Sequence, residues 1–329
     1  PRTHEPLFRN ACQDAGLNPY LFTFANIREH CSWVHMHEPE KATEKAKDIV
    51  RMAAARASYL SPQEEAEVQV DPSALVIGGG ISGITAANCL ANQGFKVYLV
   101  EKEKELGGML RNVYKLYPTD EEVSHILESM INSVKSHKNI EILTSTTVKN
   151  VEGYIGNFVV TTTKEGEAEE NKFKVGTIIV ATGAVEFEPI DRYGYGKYDC
   201  VLTQVQLERI LQGGKEALDK FVKPKTVAMI QCVGAREEKA PRAYCSRICC
   251  MVAVKNAMLI KEWYPDANVY IIYQDLQTYG KDYEEHHRKA RDAGIKFINY
   301  TKERPVEVTQ GTGKKLNLKV YHALLGEET

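Results

Sequence analysis

Residues 74–83 read Ala-Leu-Val-Ile-Gly-Gly-Gly-Ile-Ser-Gly, and this stretch decides the fold class. Its apolar opening is bounded by glycine, which is typical of a buried parallel strand. Three glycines follow at the spacing G-x-G-x-x-G, namely Gly78, Gly80 and Gly83. A helix is predicted over Ile81–Asn92, because Gly94 provides a stop just beyond it. The stretch therefore predicts a strand, a tight turn and a helix whose N-terminus holds the pyrophosphate of a dinucleotide.

Each glycine of this turn has a separate steric role. Gly78 permits the tight turn, Gly80 lets the backbone approach the pyrophosphate, and Gly83 lets the helix pack closely on the strand. Ile81 and Ser82 open the helix and belong to the same predicted contact set.

A second strand, predicted over Lys96–Val100, completes a βαβ unit. Glu101 follows this strand, 23 positions after Gly78. A carboxylate at this place can accept hydrogen bonds from the ribose hydroxyls of a dinucleotide.

Two further segments favour FAD over NAD as the ligand. Residues 101–109 contain Glu-Lys followed by Gly-Gly-Met, which resembles the E-K-x(n)-G-G segment of flavoproteins with two dinucleotide-binding domains. Residues 177–183 form an apolar strand that ends in Ala-Thr-Gly and resembles the second FAD motif of those flavoproteins. The additional predicted FAD contacts are Lys102, Gly107, Gly108, Met109, Val148, Ala181, Thr182 and Gly183. The alternative is a Rossmann unit that binds another ligand, or none.

Four of the eight cysteines crowd into nineteen positions, at Cys232, Cys245, Cys249 and Cys250. Cys232 follows a predicted strand, Thr226–Ile230, where such flavoproteins carry another G-x-G-x-x-G for NAD(P)H. Residues 231–236 read Gln-Cys-Val-Gly-Ala-Arg instead, so the phosphate cradle is missing and direct NAD(P)H binding is not expected. Four thiolates can hold a [4Fe-4S] cluster.

Two other readings of these cysteines stay open. Zinc usually takes the spacing C-x2-4-C, which the adjacent pair Cys249-Cys250 does not match. Buried, unreactive thiols are the other reading, because a free cysteine is often a small core residue. Arg236, Arg242 and Arg247 lie among the cysteines and would offset the negative charge of a cluster.

The remaining cysteines are weaker signals. Cys89 lies inside the first predicted helix and is interpreted as a packing residue, whereas Cys200 falls in a loop and has no interpretation. Cys12 and Cys31 lie near several histidines and are either ligands that join residues outside this chain or ordinary members of an exposed helical segment.

Composition excludes several classes of protein. The chain has 329 residues, a net charge of -2, 43% hydrophobic and 26% charged residues, so nothing suggests a nucleic-acid partner. No apolar run reaches the length of a membrane helix, and no signal peptide opens the chain. Clustered cysteines in such a protein favour a reducing, cytoplasmic location.

The motifs together carry a family resemblance over nearly the whole chain. The chain resembles the flavoprotein (A-type) component of heterodisulfide reductase and the flavoprotein subunits of quinone-interacting oxidoreductases. The segments that carry it are 1–20, 26–48, the glycine turn at residue 78, and 232–250, which reads CVGAREEKAPRAYCSRICC. The last segment is the most specific, since that family binds a [4Fe-4S] cluster through this spacing.

The resemblance implies an α/β fold with two dinucleotide-binding domains, like that of thioredoxin reductase. From the sequence we expect a mostly helical N-terminal segment (1–70), an FAD domain (71–224), and a second Rossmann-like domain with the cysteines (225–329). Apolar residues at helical spacing predict a helix over 40–60, and the acidic stretch 63–71 predicts a linker after it. The resemblance also implies that Lys255 lies near the flavin N5, where a cation stabilises the reduced flavin. A solvated helical lysine is the alternative.

The sequence also departs from the family. It has no C-x2-C-x2-C run, starts at Pro1 without methionine, and lacks a D-G-x-hydrophobic-A-G segment before its end, so a truncated chain with an incomplete FAD site is expected.

The favoured function is electron transfer between FAD and a [4Fe-4S] cluster, with electrons supplied and removed by other iron–sulfur subunits of a complex. The resemblance implies that the flavin splits electron pairs between two paths and that the complex is dimeric. One alternative is a disulfide reductase that uses Cys245 and Cys249 as a dithiol, although their spacing is not C-x-x-C. A non-catalytic assembly scaffold is the other alternative.

Overall fold

The computed structural model describes residues 2–237, 242–312 and 315–328. The chain divides into two compact units, Pro1–Gln69 and Val70–Thr329. The α-helices of the described residues are, in chain order, α1 (Glu5–Asp14), α2 (Pro39–Ser58), α3 (Ile81–Asn92), α4 (Val123–Ser136), α5 (Gln204–Gln212), α6 (Gly214–Phe221), α7 (Cys249–Trp263) and α8 (Tyr283–Asp292).

The strands of the described residues are, in chain order, β1 (Ser73–Ile77), β2 (Lys96–Val100), β3 (Ile140–Leu143), β4 (Thr146–Tyr154), β5 (Asn157–Lys164), β6 (Glu170–Val175), β7 (Thr177–Val180), β8 (Thr226–Ile230), β9 (Asn268–Tyr273), β10 (Lys296–Asn299), β11 (Glu307–Gln310), β12 (Leu316–Lys319), β13 (Tyr321–His322) and β14 (Glu327–Glu328).

The first unit is helical, with α1, α2 and short 3₁₀ and π turns between them. The predicted helix over 40–60 is confirmed as α2, which starts with Pro39 in its first turn because proline needs no N–H partner there. No residue of α2 is buried.

A four-stranded parallel sheet in the order β3-β2-β1-β7 forms the base of the second unit. Helices α3 and α4 cover one face through a cluster of fully buried aliphatic residues that includes Val76, Ile84 and Leu99. Each such side chain contributes roughly 1.5–3 kcal/mol on burial. The order places β1 beside both β2 and β7, which creates the switch point where α/β folds bind ligands.

A three-stranded antiparallel sheet, β4-β5-β6, covers the other face of this parallel sheet. Tyr98 and Phe173 stack between the layers with ring centroids 4.2 Å apart. Strands predicted over 146–152 and 157–163 suggest a hairpin across residues 153–156. The structure confirms this hairpin, with Gly153 and Gly156 both at positive φ. Strand β6 was not predicted, because its sequence is mostly charged and only its last residues pack inward.

A second parallel sheet, in the order β10-β9-β8, packs against α7 and α8. The fold class predicted from the sequence, two Rossmann-like units in an α/β chain, is therefore confirmed. The sequence predicts a helix from about Arg247 to Trp263. Helix α7 starts instead at Cys249, because Arg247 has φ 63 and cannot belong to a right-handed helix. None of the helices in the described ranges combines the length and apolar content of a membrane span.

Candidate flavin and cysteine site

The glycine turn joins β1 to α3 at the carboxyl edge of the first sheet. Gly78 has φ 110, and a Cβ there would overlap the carbonyl of Ala181 after β7. A Cβ on Gly83 would overlap the carbonyl of Gly78. Gly80 differs, because a Cβ there would meet nothing nearer than the Cα of Gly108 at 4.0 Å. Two of the glycines are therefore required by the protein itself, and the third faces open space at a helix N-terminus.

Glu101 lies behind this turn and is buried. Its carboxylate accepts hydrogen bonds from the backbone N–H of Gly79 (2.5 Å) and of Glu103 (2.9 Å). These bonds hold the carboxylate at the edge of the sheet, at the place where a ribose is expected.

The second predicted FAD segment pairs with the turn. The N–H of Gly107 donates to the carbonyl of Gly79 at 2.8 Å, and Gly108 packs against Gly80. Both residues of the pair have positive φ, 123 for Gly107 and 52 for Gly108. The glycines thus bring two backbones to a separation that side chains would prevent.

The other predicted contacts lie at different places. Ala181 hydrogen bonds to β1 through its N–H, and Thr182 and Gly183 follow it, exposed, beside the turn. Ile81, Ser82, Lys102 and Met109 are exposed around the same edge. Val148 instead packs into the apolar layer between the two sheets. Apart from Val148, the structure therefore gathers the predicted FAD residues around one edge, and an open backbone cradle next to a buried carboxylate fits a dinucleotide.

The cysteines occupy the corresponding edge of the second sheet. Cys232 follows β8 with φ 63, Cys245 lies in the loop after it, and Cys249 and Cys250 open α7. Cys249 interacts with the Cys250 thiol, the Ser246 hydroxyl and the backbone N–H of Cys232, and these hydrogen bonds lower the pKa of Cys249 to about 6.

Burial and the nearby Cys249 and Cys245 sulfurs raise the pKa of the Cys232 thiol. The pKa of Cys250 is raised, chiefly because its thiol donates to Cys249 and because it is buried. The four sulfurs are therefore neighbours. No group of three or more His, Cys, Asp or Glu side chains within the described ranges meets the geometry of a metal site. The donor set, four cysteine sulfurs, matches an iron–sulfur cluster in its chemistry.

Of the three arginines among the cysteines, Arg236 lies near two of the sulfurs. Arg236 forms an ion pair with Asp275 and carries its charge close to Cys232 and Cys245. Arg242 donates to the carbonyl of Gly234 at 2.9 Å and stacks on Phe187. A Cβ on Gly234 would overlap this phenyl ring, so Phe187 packs directly against the backbone of the loop after β8.

Lys255 is buried, with 3% of its surface exposed, and the reading of it as a solvated lysine is wrong. Its ammonium donates to a carboxylate oxygen of Glu208 and to the carbonyl of Lys115 at 2.7 Å. Glu208 accepts a further bond from the N–H of Tyr114 at 2.9 Å. Burial lowers the pKa of Lys255, and the Glu208 carboxylate opposes that shift.

Helix α5, which carries Glu208, was missed by the sequence analysis. Its start is a capping box in which Thr203 and Gln206 exchange hydrogen bonds, and Glu186 also accepts from Thr203 and Val205. The pattern T-x-x-Q ahead of apolar residues at helical spacing was the available signal.

The other cysteines require one correction. Cys89 is exposed, so its interpretation as a packing residue is wrong: it lies on the outer face of α3 beside Gln93. Cys200 lies in an exposed loop. Cys31 is buried and its thiol donates to the carbonyl of Ala42 at 2.9 Å, whereas Cys12 is half-buried in α1.

The chain is similar in sequence to several known proteins. Residues 72–228 match the family model described as pyridine nucleotide-disulphide oxidoreductase. The A-type iron-sulfur subunit of the CoB–CoM heterodisulfide reductase of Methanocaldococcus jannaschii is 40% identical in an alignment 411 positions long. The alignment covers 99% of this chain and 62% of that protein. The A-type subunit of the H2:CoB-CoM heterodisulfide,ferredoxin reductase of Methanothermobacter marburgensis is 39% identical, over 100% of this chain and 62% of that protein.

The chain thus spans about three fifths of the length of these curated relatives. Among solved structures, a thioredoxin reductase from Lactococcus lactis aligns with a TM-score of 0.49 at 19% identity, covering 79% of this chain and 74% of that chain.

Proposed function

Because nearly the whole chain is homologous to the A-type subunits of heterodisulfide reductases, we propose that it is the flavin-binding core of an oxidoreductase subunit that transfers electrons. In this function, FAD and a [4Fe-4S] cluster exchange electrons, and other redox subunits of a complex supply and remove them. The observation that carries the proposal is the placement of the four cysteines at the edge of the second Rossmann-like sheet, where a nucleotide turn would otherwise lie.

The FAD site would be built by the glycine turn. The open backbone at Gly80 and the N-terminus of α3 would receive the pyrophosphate, since unpaired N–H groups and the helix dipole favour an anion. Glu101 would orient the ribose, and Gly107 with Gly108 would keep the opposite wall free of side chains. Bound FAD would supply the redox chemistry itself.

Cys232, Cys245, Cys249 and Cys250 would hold the cluster. Arg236 would offset part of its negative charge, because it already lies near two of these sulfurs. Phe187 would exclude water from this edge. A reducing cytoplasm would keep the four thiolates available.

Lys255 would act as the cation next to the flavin. Its burial means that little solvent screens the charge, and Glu208 fixes the direction of the ammonium group. Whether the flavin splits electron pairs between two paths depends on partner clusters, and we include such bifurcation, with a dimeric complex, in the proposal.

The test is the cofactor content of protein purified without air. We expect one FAD, about four irons and about four acid-labile sulfides per chain, with an EPR signal after dithionite reduction. Cys249→Ser should lose the iron and the signal, whereas Cys89→Ser, which changes an exposed thiol on α3, should retain both. Protein that contains flavin but no iron would contradict the cluster.

A disulfide reductase remains a second candidate because of one observation. The thiol of Cys249 accepts hydrogen bonds from its neighbours, an arrangement that is typical of a reactive thiolate. A reversible two-thiol couple in iron-free, flavin-containing protein would support this function over the cluster.

A further inference from the structure

The buried ammonium of Lys255 has limited contact with solvent. Two of its three N–H donors are directed to Glu208 and to the carbonyl of Lys115. If Lys255 gives up a proton during flavin chemistry, another proton has to replace it. Only 3% of this residue is exposed, so the new proton has to pass through the protein. The structure therefore has to provide a route.

A cavity of about 460 Å³ opens beside this side chain. Its lining includes Lys255, Lys115, Asp120 and Glu262. The side chain of Asp120 is 53% exposed, so its carboxylate contacts water. Asp120 is also the acidic residue, besides Glu208, whose charge favours the protonated form of Lys255. Asp120 thus contacts water and also interacts electrostatically with the buried amine.

His286 on α8 gives an independent indication. Its side chain is 3% exposed, and its Nε2 atom has no hydrogen-bond partner although it lies 4.0 Å from a carboxylate oxygen of Asp120. A buried nitrogen without a partner is unfavourable, and burial lowers the pKa of His286, which favours the neutral ring. In the tautomer with its proton on Nδ1, Nε2 is an acceptor for a protonated Asp120.

We propose that Asp120 is the proton-exchange group of Lys255, taking a proton from water in the cavity and passing it to the Lys255 amine. One proton enters Asp120 and one leaves toward Lys255, so no electrons move in this step, and His286 holds the protonated form of Asp120 between the two transfers. This inference rests on the proposed role of Lys255 beside the flavin and extends it to the supply of protons.

The ionisable groups around this route come from four elements. They are Lys115 and Asp120 from the segment before α4, Glu208 from α5, Lys255, Lys261 and Glu262 from α7, and His286 and Lys289 from α8. Glu262 is the matched control, because it lines the same cavity but its charge is not among those that shift the pKa of Lys255.

The first measurement needs no flavin. The full chain is labelled with trace acetic anhydride over a pH series, and mass spectrometry gives the acetylation rate of Lys255. Asp120→Asn removes a charge that favours the ammonium, so the pKa of Lys255 falls. The free-amine fraction at fixed pH, and with it the acetylation rate, then rises by about three- to tenfold. Glu262→Gln should leave the rate within about twofold. A Lys255 that is labelled only after unfolding, or at the same rate in Asp120→Asn, overturns the proposal.

The second measurement uses the flavin-loaded chain. Dithionite reduction of the flavin should slow by about ten- to hundredfold in Asp120→Asn, with a larger solvent isotope effect, and should recover on addition of millimolar imidazole. Recovery by a small proton carrier separates a proton route from a damaged fold. Unchanged reduction in Asp120→Asn contradicts the proposal. If the wild-type chain binds no flavin, the proposed function fails, and the labelling result still decides whether Asp120 controls the proton on Lys255.

Discussion

At the scale of single residues, the three glycines of the turn are not equivalent. Gly78 and Gly83 lie against carbonyl groups that leave no room for a methyl group, whereas Gly80 faces open space with φ -76, a value that alanine also adopts. The sequence motif assigned each glycine a separate role, and the structure shows that packing alone requires Gly78 and Gly83. Gly80 is the one with open space beside it.

Substitution of these glycines should therefore have opposite consequences. Gly83→Ala should destabilise the chain by about 2 kcal/mol or more, because the methyl group overlaps the Gly78 carbonyl. Gly80→Ala should change the unfolding free energy by less than about 1 kcal/mol but should abolish FAD binding. Urea unfolding and flavin titration of both variants check this. Gly80→Ala that binds FAD normally would remove Gly80 from the site.

The sequence also placed Lys255 correctly in a helix but could not reveal its burial. Its partner Glu208 lies 47 residues earlier in the chain, and α5 and α7 approach each other only in the fold. A charged residue in a sequence has an exposed side chain by default, so a buried ion pair between distant helices leaves no local pattern.

At the scale of elements, α5 links the parts of the candidate site. Its residues bond to three segments: Gln212 to the carbonyl of Arg111 beside the flavin segment, Gln204 to Asn256 on α7, and its N-terminus to Glu186. The strands of the first parallel sheet, and β8 and β9 of the second, could be predicted from apolar runs, whereas β10 was not predicted. Helix α5 was not predicted because its periodic apolar residues are few and its stability depends on these polar contacts.

The capping box makes this dependence measurable. Thr203→Ala should lower the free energy of unfolding by about 1 kcal/mol, since it removes an N-cap and a donor to Glu186. Thr85→Ala is the matched control, because that hydroxyl bonds within the exposed face of α3 and its loss should cost less than about 0.5 kcal/mol. Equal stability losses in the two variants would show that the box does not hold α5.

At the scale of the whole molecule, the chain consists of two compact units joined within residues 61–70, all of which are exposed and outside helices and strands. The sequence predicted a boundary here from the acidic composition after Pro62. It also predicted a boundary at 224/225, between the two Rossmann-like sheets. The structure groups residues 70–329 in one compact unit, and we keep the division at 224/225 as a proposal.

Brief digestion of the full chain with a glutamate-specific protease should cut first after Glu64, Glu65 or Glu67. Exposed, irregular backbone is the preferred substrate of proteases, and these bonds lie outside regular structure. Mass spectrometry should find an early, persistent fragment that starts at residue 65, 66 or 68 and extends to the end of the chain. Early cleavage inside 70–329 instead would show that the second unit is less stable than its packing indicates.

The backbone conformation of Cys232 bears on why a cysteine occupies this position. The residue has φ 63, a conformation that costs a side chain about 1–2 kcal/mol and that glycine adopts freely. It occupies the end of β8, the place of a nucleotide-turn glycine, so replacing cysteine by glycine there would relax the fold. Stability alone would favour glycine at this position, and the proposed role of Cys232 as a cluster ligand accounts for the cysteine.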